Sequence, residues 1–165
     1  VSLGAAESLI AHTDSMAKNR YIPKSKHDSG KHLVLQKIQM ERHFPCFRCS
    51  LQHRVLVCTG EITPSKDCDA YRIQITLPVG KIPRVKILKP DITPSIRIHM
   101  YPSGDLCLYK PSEQPWMEKD FIHEKIVPWT AEWLVYYELF KMTGEWLGPE
   151  ASHGSEPKEV QKSAS

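Results

Sequence analysis

Residues 71–77 read Tyr-Arg-Ile-Gln-Ile-Thr-Leu, and this stretch decides the fold class. Its apolar side chains, at positions 71, 73, 75 and 77, alternate strictly with Arg72, Gln74 and Thr76. Successive side chains of a β-strand point to opposite faces, so the alternation predicts a strand with one buried and one solvated face. The chain therefore contains a sheet that has a core on one side.

Segments on both sides of this strand predict neighbouring strands. Residues 54–59 are rich in Val and Leu, and in residues 84–88 Val85 and Ile87 alternate with Lys86. Prolines bracket the three segments, at positions 78, 83, 90 and 94. Short strands separated by such turn signals predict an antiparallel meander of three or four strands.

A first helix is predicted before the sheet, over residues 31–42, with Val34, Leu35 and Ile38 on its apolar side. Pro45 ends it, because proline cannot continue a helix.

The last third of the chain predicts a second helical region. Pro128 suits a first helical turn and Gly144 suits the position just past a helix end. Aromatic side chains recur between them at helical spacing and are expected to be core: Trp129, Trp133, Tyr136, Tyr137 and Phe140. The element order predicts an α+β fold with an N-terminal helix, a strand meander and C-terminal helices on one face of the sheet.

Length and composition fit one domain. The chain has 165 residues, of which 41% are hydrophobic and 25% charged. We expect residues 31–150 to form the domain, between a flexible N-terminal arm (1–30) and a flexible tail (151–165). Met16 is a candidate start of the natural chain, and residues 1–15 would then be a fusion segment. The sequence leaves that question open.

Charge and hydropathy argue against several classes of function. A net charge of +3 without a long block of one sign does not indicate a nucleic-acid partner. No apolar run reaches the ~18 residues of a membrane span, and no signal-peptide pattern is present, so we expect a cytoplasmic protein without membrane contact. In that compartment the five cysteines should be mainly free thiols. No glycine-rich phosphate loop is present, so another protein must supply any ATP-dependent step.

Cys107 is the strongest candidate for chemistry. It follows the turn Pro102-Ser103-Gly104-Asp105, in a segment between sheet and helix. Loops fixed by a rigid scaffold often carry functional residues, and a thiol can hold an acyl group as a thioester. The alternative is a buried cysteine that packs as a small apolar side chain between Leu106 and Leu108.

The stretch from His99 to Leu108, His-Met-Tyr-Pro-Ser-Gly-Asp-Leu-Cys-Leu, resembles the active-site segment of ubiquitin-conjugating enzymes. There a His-Pro-Asn triplet precedes Gly-x-Ile/Leu-Cys-Leu, whose cysteine forms a thioester with ubiquitin. The element order over residues 31–147 agrees with that family, including Trp116 after the cysteine. This resemblance implies the ubiquitin-conjugating (UBC) fold.

A second resemblance covers both the cysteine segment and the following helices. It rests on Leu106-Cys107-Leu108-Tyr109, Pro128-Trp129, Trp133-Leu134 and the stretch Gly-Glu-Trp-Leu-Gly-Pro-Glu at 144–150. These motifs are similar to the stand-alone bacterial conjugating-enzyme-like proteins of CBASS anti-phage operons. The resemblance implies a transferase that needs no cofactor. Its partner would be a cGAS/DncV-like nucleotidyltransferase, whose C-terminus it modifies to prime cyclic-nucleotide signalling.

The segment departs from the eukaryotic pattern where an oxyanion donor is expected. Met100-Tyr101 replace Pro-Asn, the interval from His99 to Cys107 is two residues shorter, and the single asparagine of the chain is Asn19. His99 and Tyr101 become the candidate catalytic residues beside Cys107 because they align with the triplet. For His99 the alternative is fixing the turn, and for Tyr101 it is packing.

Other candidates for stabilising the oxyanion or assisting an amine remain open. The backbone N–H groups of the Gly104 turn and Gln114 are further possible oxyanion donors. Asp105 is the only acidic residue beside the cysteine in sequence, and His123 and His153 are candidates by fold analogy alone.

Cys46 and Cys49 raise a competing hypothesis of zinc binding, together with further cysteines and histidines at positions 58, 68, 43 and 53. Residues three apart in a strand point to opposite faces, which argues against Cys46 and Cys49 sharing one metal.

Three functions thus remain in view: a thioester-forming transferase, a non-catalytic binding module of the same fold, and a zinc-stabilised adaptor. The position of Cys107 after Gly-x-Leu favours the first.

Overall fold

The computed structural model describes residues 26–110 and 112–149, with side chains from residue 30 onward. Helix α1 (Lys26–His43) is followed by strands β1 (Arg48–Gln52), β2 (Val55–Ile62), β3 (Tyr71–Pro78) and β4 (Arg84–Lys89). A 3-10 turn (Ile96–Ile98) and a π-helical turn (Ile122–Ile126) precede helix α2 (Val127–Thr143). The fold of this part of the chain is α+β.

The four strands form one antiparallel sheet in the order β1-β2-β3-β4. The alternation in β3 is confirmed, because all four of its apolar side chains are buried. Helix α1 lies against β1 and β2. Tyr71 of β3 meets the Tyr137 ring of α2 edge-on and donates a hydrogen bond to Glu138.

Strand β1 lies outside the three predicted segments, and Arg54, the predicted start of a strand, lies in a turn. His53 and Arg54 have φ values of 48° and 63°, and they join β1 to β2 as a two-residue hairpin turn. Such turns usually contain Gly or Asn, which tolerate positive φ. The sequence here contains neither residue.

Cys49 of β1 and Cys58 of β2 form a disulfide. Antiparallel pairing sets the two residues directly opposite each other, with their Cα atoms 4.1 Å apart. This pair is a correction to the expectation of free thiols. Cys46, Cys68 and Cys107 are free.

The buried side of α1 differs from the predicted one. Leu33 and Met40 are buried, whereas Val34 and Ile38 are 46% and 54% exposed. Gln36 is buried between them because its side chain satisfies two backbone groups of the segment before α2. The sequence pattern therefore indicated the wrong side of the helix, because a polar residue occupies the centre of the buried side.

The predicted second helix is confirmed as α2. Pro128 lies in its first turn, and Gly144 (φ 76°) ends it with an N–H donated to the Phe140 carbonyl at 2.8 Å. Trp133 is buried, and the other predicted aromatic side chains are half-buried. Within residues 26–110 and 112–149, no helix combines the length and apolar character that a membrane crossing requires.

Candidate functional site

The segment from His99 to Cys107 forms a small hairpin. The Gly104 N–H donates to the Tyr101 carbonyl at 2.8 Å, and the Tyr101 N–H donates to the Asp105 carbonyl at 2.9 Å. Gly104 has φ 80°, a conformation that glycine adopts without strain. The Pro-Ser-Gly-Asp sequence therefore makes the turn that was expected before the cysteine.

Backbone hydrogen bonds fix this hairpin to the sheet. The Leu106 N–H donates to the Val85 carbonyl of β4 at 2.9 Å, and the Cys107 N–H donates to the His99 carbonyl at 2.8 Å. His99 has φ 52° and follows the 3-10 turn as its C-cap. The cysteine is thus held on both sides by main-chain contacts, which gives its thiol a defined position.

The free thiol of Cys107 is half-exposed and lines a cleft of about 230 Å³. The cleft is formed by the hairpin, the following loop and α2, and its lining includes His99, Tyr109, Gln114, Trp129, Glu132 and Pro149. A larger concavity of about 380 Å³ lies between α1, the β3–β4 turn and Trp116, and Cys107 does not line it. The smaller cleft is the one that contains a nucleophile, so it is the candidate active site.

The Tyr101 hydroxyl contacts the thiol directly. Its oxygen lies 3.4 Å from the Cys107 Sγ, in hydrogen-bond geometry, and the side chain is 44% exposed. The hydrogen bond to Cys107, followed by partial burial, raises the pKa of Tyr101 to about 12. The phenol therefore keeps its proton at neutral pH and remains a hydrogen-bond donor beside the sulfur.

His99 is held in the wall of the same cleft. Its side chain is buried, and its ring lies 5.1 Å from the Trp146 ring, tilted by 32°. Its carbonyl is the acceptor for the Cys107 N–H. His99 therefore combines a position in the cleft wall with a backbone contact that places the cysteine.

The other candidates separate into those at the cleft and those away from it. Gln114 lines the cleft, whereas the Gly104 N–H is already used within the hairpin turn. Asp105 accepts a hydrogen bond from the Ser103 hydroxyl at 2.8 Å and does not line the cleft. His123 stacks on His43 of α1, with the ring centroids 4.4 Å apart. His153 lies outside the described residues.

A protein-family model described as the type II CBASS E2 protein matches residues 36–154. The chain belongs to this family. The match covers the whole sheet, the Cys107 hairpin and α2. It confirms the resemblance that was based on the cysteine segment and on the motifs near the C-terminus. No curated protein matches the chain.

Sequence reasoning missed the charged residues that line the cleft of this CBASS E2 chain, which are Lys110, Glu113 and Glu132. Glu132 of α2 lines the cleft together with Cys107, and Trp129 and Trp133 lie on the same side of the helix. Residues three and four positions apart share a helix face. The signal was present in the spacing of Glu132 between the two tryptophans, but the aromatic residues were interpreted only as core.

Two of the cysteines proposed as zinc ligands in this CBASS E2 chain are not free to bind a metal. Cys49 and Cys58 are joined in the disulfide, and Cys46 is exposed two residues before β1. No group of three or more potential metal-binding side chains gathers anywhere in residues 30–110 or 112–149. Cys49 and Cys58 therefore link β1 to β2.

Proposed function

We propose that this protein is a ubiquitin-conjugating-like transferase whose Cys107 forms a thioester with the C-terminal carboxyl group of a cGAS/DncV-like nucleotidyltransferase. The modification would prime CBASS antiviral signalling in a bacterial cytoplasm. One observation carries the proposal. In a chain of the CBASS E2 family, the free, half-exposed Cys107 thiol lies in a cleft and contacts the Tyr101 hydroxyl.

The element order supports a UBC fold for residues 31–150. A helix, a four-stranded antiparallel meander, a cysteine hairpin beside the last strand and a long helix follow one another along the chain. In this arrangement the hairpin bonds to β4 while α2 forms the opposite wall of the cleft.

Loading consists of attack by the Cys107 thiolate on an activated C-terminal carbonyl. The sulfur electron pair forms the new C–S bond, and the bond to the activating group breaks, with its electron pair leaving on that group. The thiol proton passes to solvent. An activating protein must supply the acyl group, and the transferase needs no cofactor, nucleic acid or membrane for the step.

Tyr101 and His99 have separate roles in this proposal. A negative charge develops on the carbonyl oxygen during attack, and a positioned O–H donor stabilises it. The protonated Tyr101 hydroxyl beside the sulfur is suited to that task in place of the missing asparagine. His99 positions the thiol through its carbonyl and closes the cleft against Trp146.

Co-expression with the operon's nucleotidyltransferase tests the proposal. Wild-type protein should yield an adduct whose mass is the sum of the two proteins less one water, and this adduct should be stable without reductant and cleaved by excess thiol. Cys107→Ala should fold and give no adduct, while Cys46→Ser, which removes another free and more exposed thiol, should keep it. An adduct retained in Cys107→Ala would refute the role of this cysteine.

A second candidate function is a non-catalytic module that binds the nucleotidyltransferase. The observation that favours it is the absence of asparagine from residues 26–149, since that side chain is the oxyanion donor of the eukaryotic enzymes. Stable co-purification without an adduct in either form would support this function over the first.

A further inference from the structure

The indole N–H of Trp133 is a buried hydrogen-bond donor without an acceptor. Trp133 lies on α2 and is only 3% exposed, and within residues 30–110 and 112–149 its Nε1 has no hydrogen-bond partner. Buried polar groups in folded proteins are nearly always paired, because leaving one unpaired is costly. A buried donor of this kind is therefore a candidate for binding a ligand.

Trp133 forms part of the wall of a small hollow beside the thiol. The hollow has a volume of about 50 Å³ and adjoins the Cys107 cleft, with which it shares walls that include Cys107, His99 and Trp129. A water molecule takes up about 30 Å³ in the liquid, so the hollow has room for a small polar group and not for a large side chain. The buried tryptophan and the nucleophile thus border the same confined space.

A second indole N–H at this hollow is covered by the chain itself. The Trp146 ring lies 5.8 Å from the Trp133 ring, and its Nε1 also lacks a hydrogen-bond partner among the described residues. Gly148 packs directly against it, since a Cβ on Gly148 would lie 2.9 Å from this Nε1 and 2.7 Å from the Tyr136 ring. Trp146 and Tyr136 therefore close one side of the hollow, and Trp133 is the donor that remains for a ligand.

The lining of the hollow favours a neutral acceptor. An indole N–H can only donate, so its partner must accept a hydrogen bond. No lysine or arginine lines the hollow, and Glu132 adds negative charge to its wall, which disfavours an anion. A peptide carbonyl is neutral and small. In a protein C-terminus held by a cysteine, the last peptide carbonyl is separated from the thioester carbonyl by only one nitrogen and one Cα, so it lies close to the sulfur.

We propose that the Trp133 indole N–H donates a hydrogen bond to the last peptide carbonyl of the acyl donor, so that this transferase accepts peptidyl groups in preference to acyl groups without that amide. The inference rests on the proposed function, in which Cys107 takes up a protein C-terminus. Tyr101 acts on the carbonyl that reacts, whereas Trp133 binds the carbonyl before it. Holding that peptide group orients the reacting carbon toward the sulfur, and such orientation accelerates attack.

Two small acyl donors of equal length test the inference without an activating protein. They are the N-acetylglycyl and pentanoyl thioesters of 2-mercaptoethanesulfonate, of which only the first contains the amide. In each exchange the new C–S bond forms at Cys107, the old C–S bond breaks, and its electron pair leaves on the mercaptoethanesulfonate sulfur. Intact mass follows loading of the full-length protein. Cys107→Ala gives the background from the other free thiols, and free cysteine gives the intrinsic ratio of the two donor rates.

Wild-type protein should prefer the N-acetylglycyl donor about 5-fold more than free cysteine does, because one hydrogen bond supports a preference of that order. Trp133→Phe removes the N–H and keeps an apolar ring. It should lower this preference to that of free cysteine while loading the pentanoyl donor at the wild-type rate. Trp116→Phe, the same change at a half-buried tryptophan outside the cleft, should keep the wild-type preference.

Three results would overturn the inference. These are a wild-type protein with no preference beyond that of free cysteine, an undiminished preference in Trp133→Phe, and an equal slowing of both donors in that variant, which would indicate a structural role. The wild-type comparison decides the matter even if Trp133→Phe does not fold. Failure of the wild-type protein to load either donor faster than Cys107→Ala would instead overturn the proposed function itself.

Discussion

Replacing Gln36 with leucine should lower the free energy of unfolding by about 2–4 kcal/mol. The Gln36 side chain is fully buried in α1, where its Nε2 donates to the Asp120 carbonyl at 2.6 Å and its Oε1 accepts from the Ile122 N–H at 2.9 Å. Leucine has a similar volume, so the substitution mainly removes these two bonds. Each buried backbone group left without a partner costs about 1–3 kcal/mol, and loss of the buried amide offsets a part.

Urea unfolding followed by tryptophan fluorescence measures this effect. Gln39→Leu is the matched control, because Gln39 is half-buried on the same helix and its side chain makes no hydrogen bond within residues 30–110 and 112–149. The control should stay within about 0.5 kcal/mol of wild type. If both variants unfold at the same urea concentration, Gln36 does not hold the segment before α2 against α1.

Three further perturbations test the site and the packing. Tyr101→Phe should leave the fold intact and slow acyl transfer about 100-fold, and an unchanged transfer rate would remove the hydroxyl from the mechanism. Gly60→Ala should cost about 1–3 kcal/mol in urea unfolding, because its Cβ would lie 2.6 Å from the Phe47 ring; unchanged stability would show that the ring moves aside. Burial raises the pKa of Asp120, but hydrogen bonds from Lys125 and a backbone N–H outweigh it, so this pKa lies below its usual value. The ionised Asp120 therefore contributes to stability above about pH 4, and this contribution is lost as the pH falls through the lower folded pKa. Asp120→Asn should make the free energy of unfolding less dependent on pH in that range. A pH dependence as steep as that of wild type would contradict this.

Elements whose residues follow one simple pattern could be predicted from the sequence. The alternation in β3 and the Pro128 and Gly144 boundaries of α2 gave correct elements, because each pattern reports on a single local constraint. The turn before Cys107 was predictable for the same reason, since Gly104 supplies a positive φ that few other residues tolerate.

The errors arose where tertiary contacts decide. Strand β1 is a short edge strand with an exposed polar side, and His53-Arg54 make its turn without the usual glycine. The buried side of α1 contains Gln36. Its burial is possible because backbone groups of a segment distant in sequence form hydrogen bonds with its side chain.

The residues of the candidate site also differ in whether local sequence or tertiary structure brings them together. Cys107 and Tyr101 are close in sequence, and the motif named both as candidate residues, whereas Glu132 reaches the cleft from another element of the fold. Its position at the cleft is a property of the assembled surface. The local sequence around the cysteine contains no sign of it.

The hairpin that presents Cys107 has a second consequence, for the behaviour of the protein at high concentration. β4 is an outer strand of the sheet, and the hairpin bonds to it where Leu106 meets Val85 and where Asp105 pairs with Lys86. Unpaired strand edges are templates for aggregation between molecules. A substitution that loosens the hairpin to make the thiol more reactive would therefore also expose the unpaired backbone edge of β4. Thiol reactivity and resistance to aggregation are thus coupled in this chain.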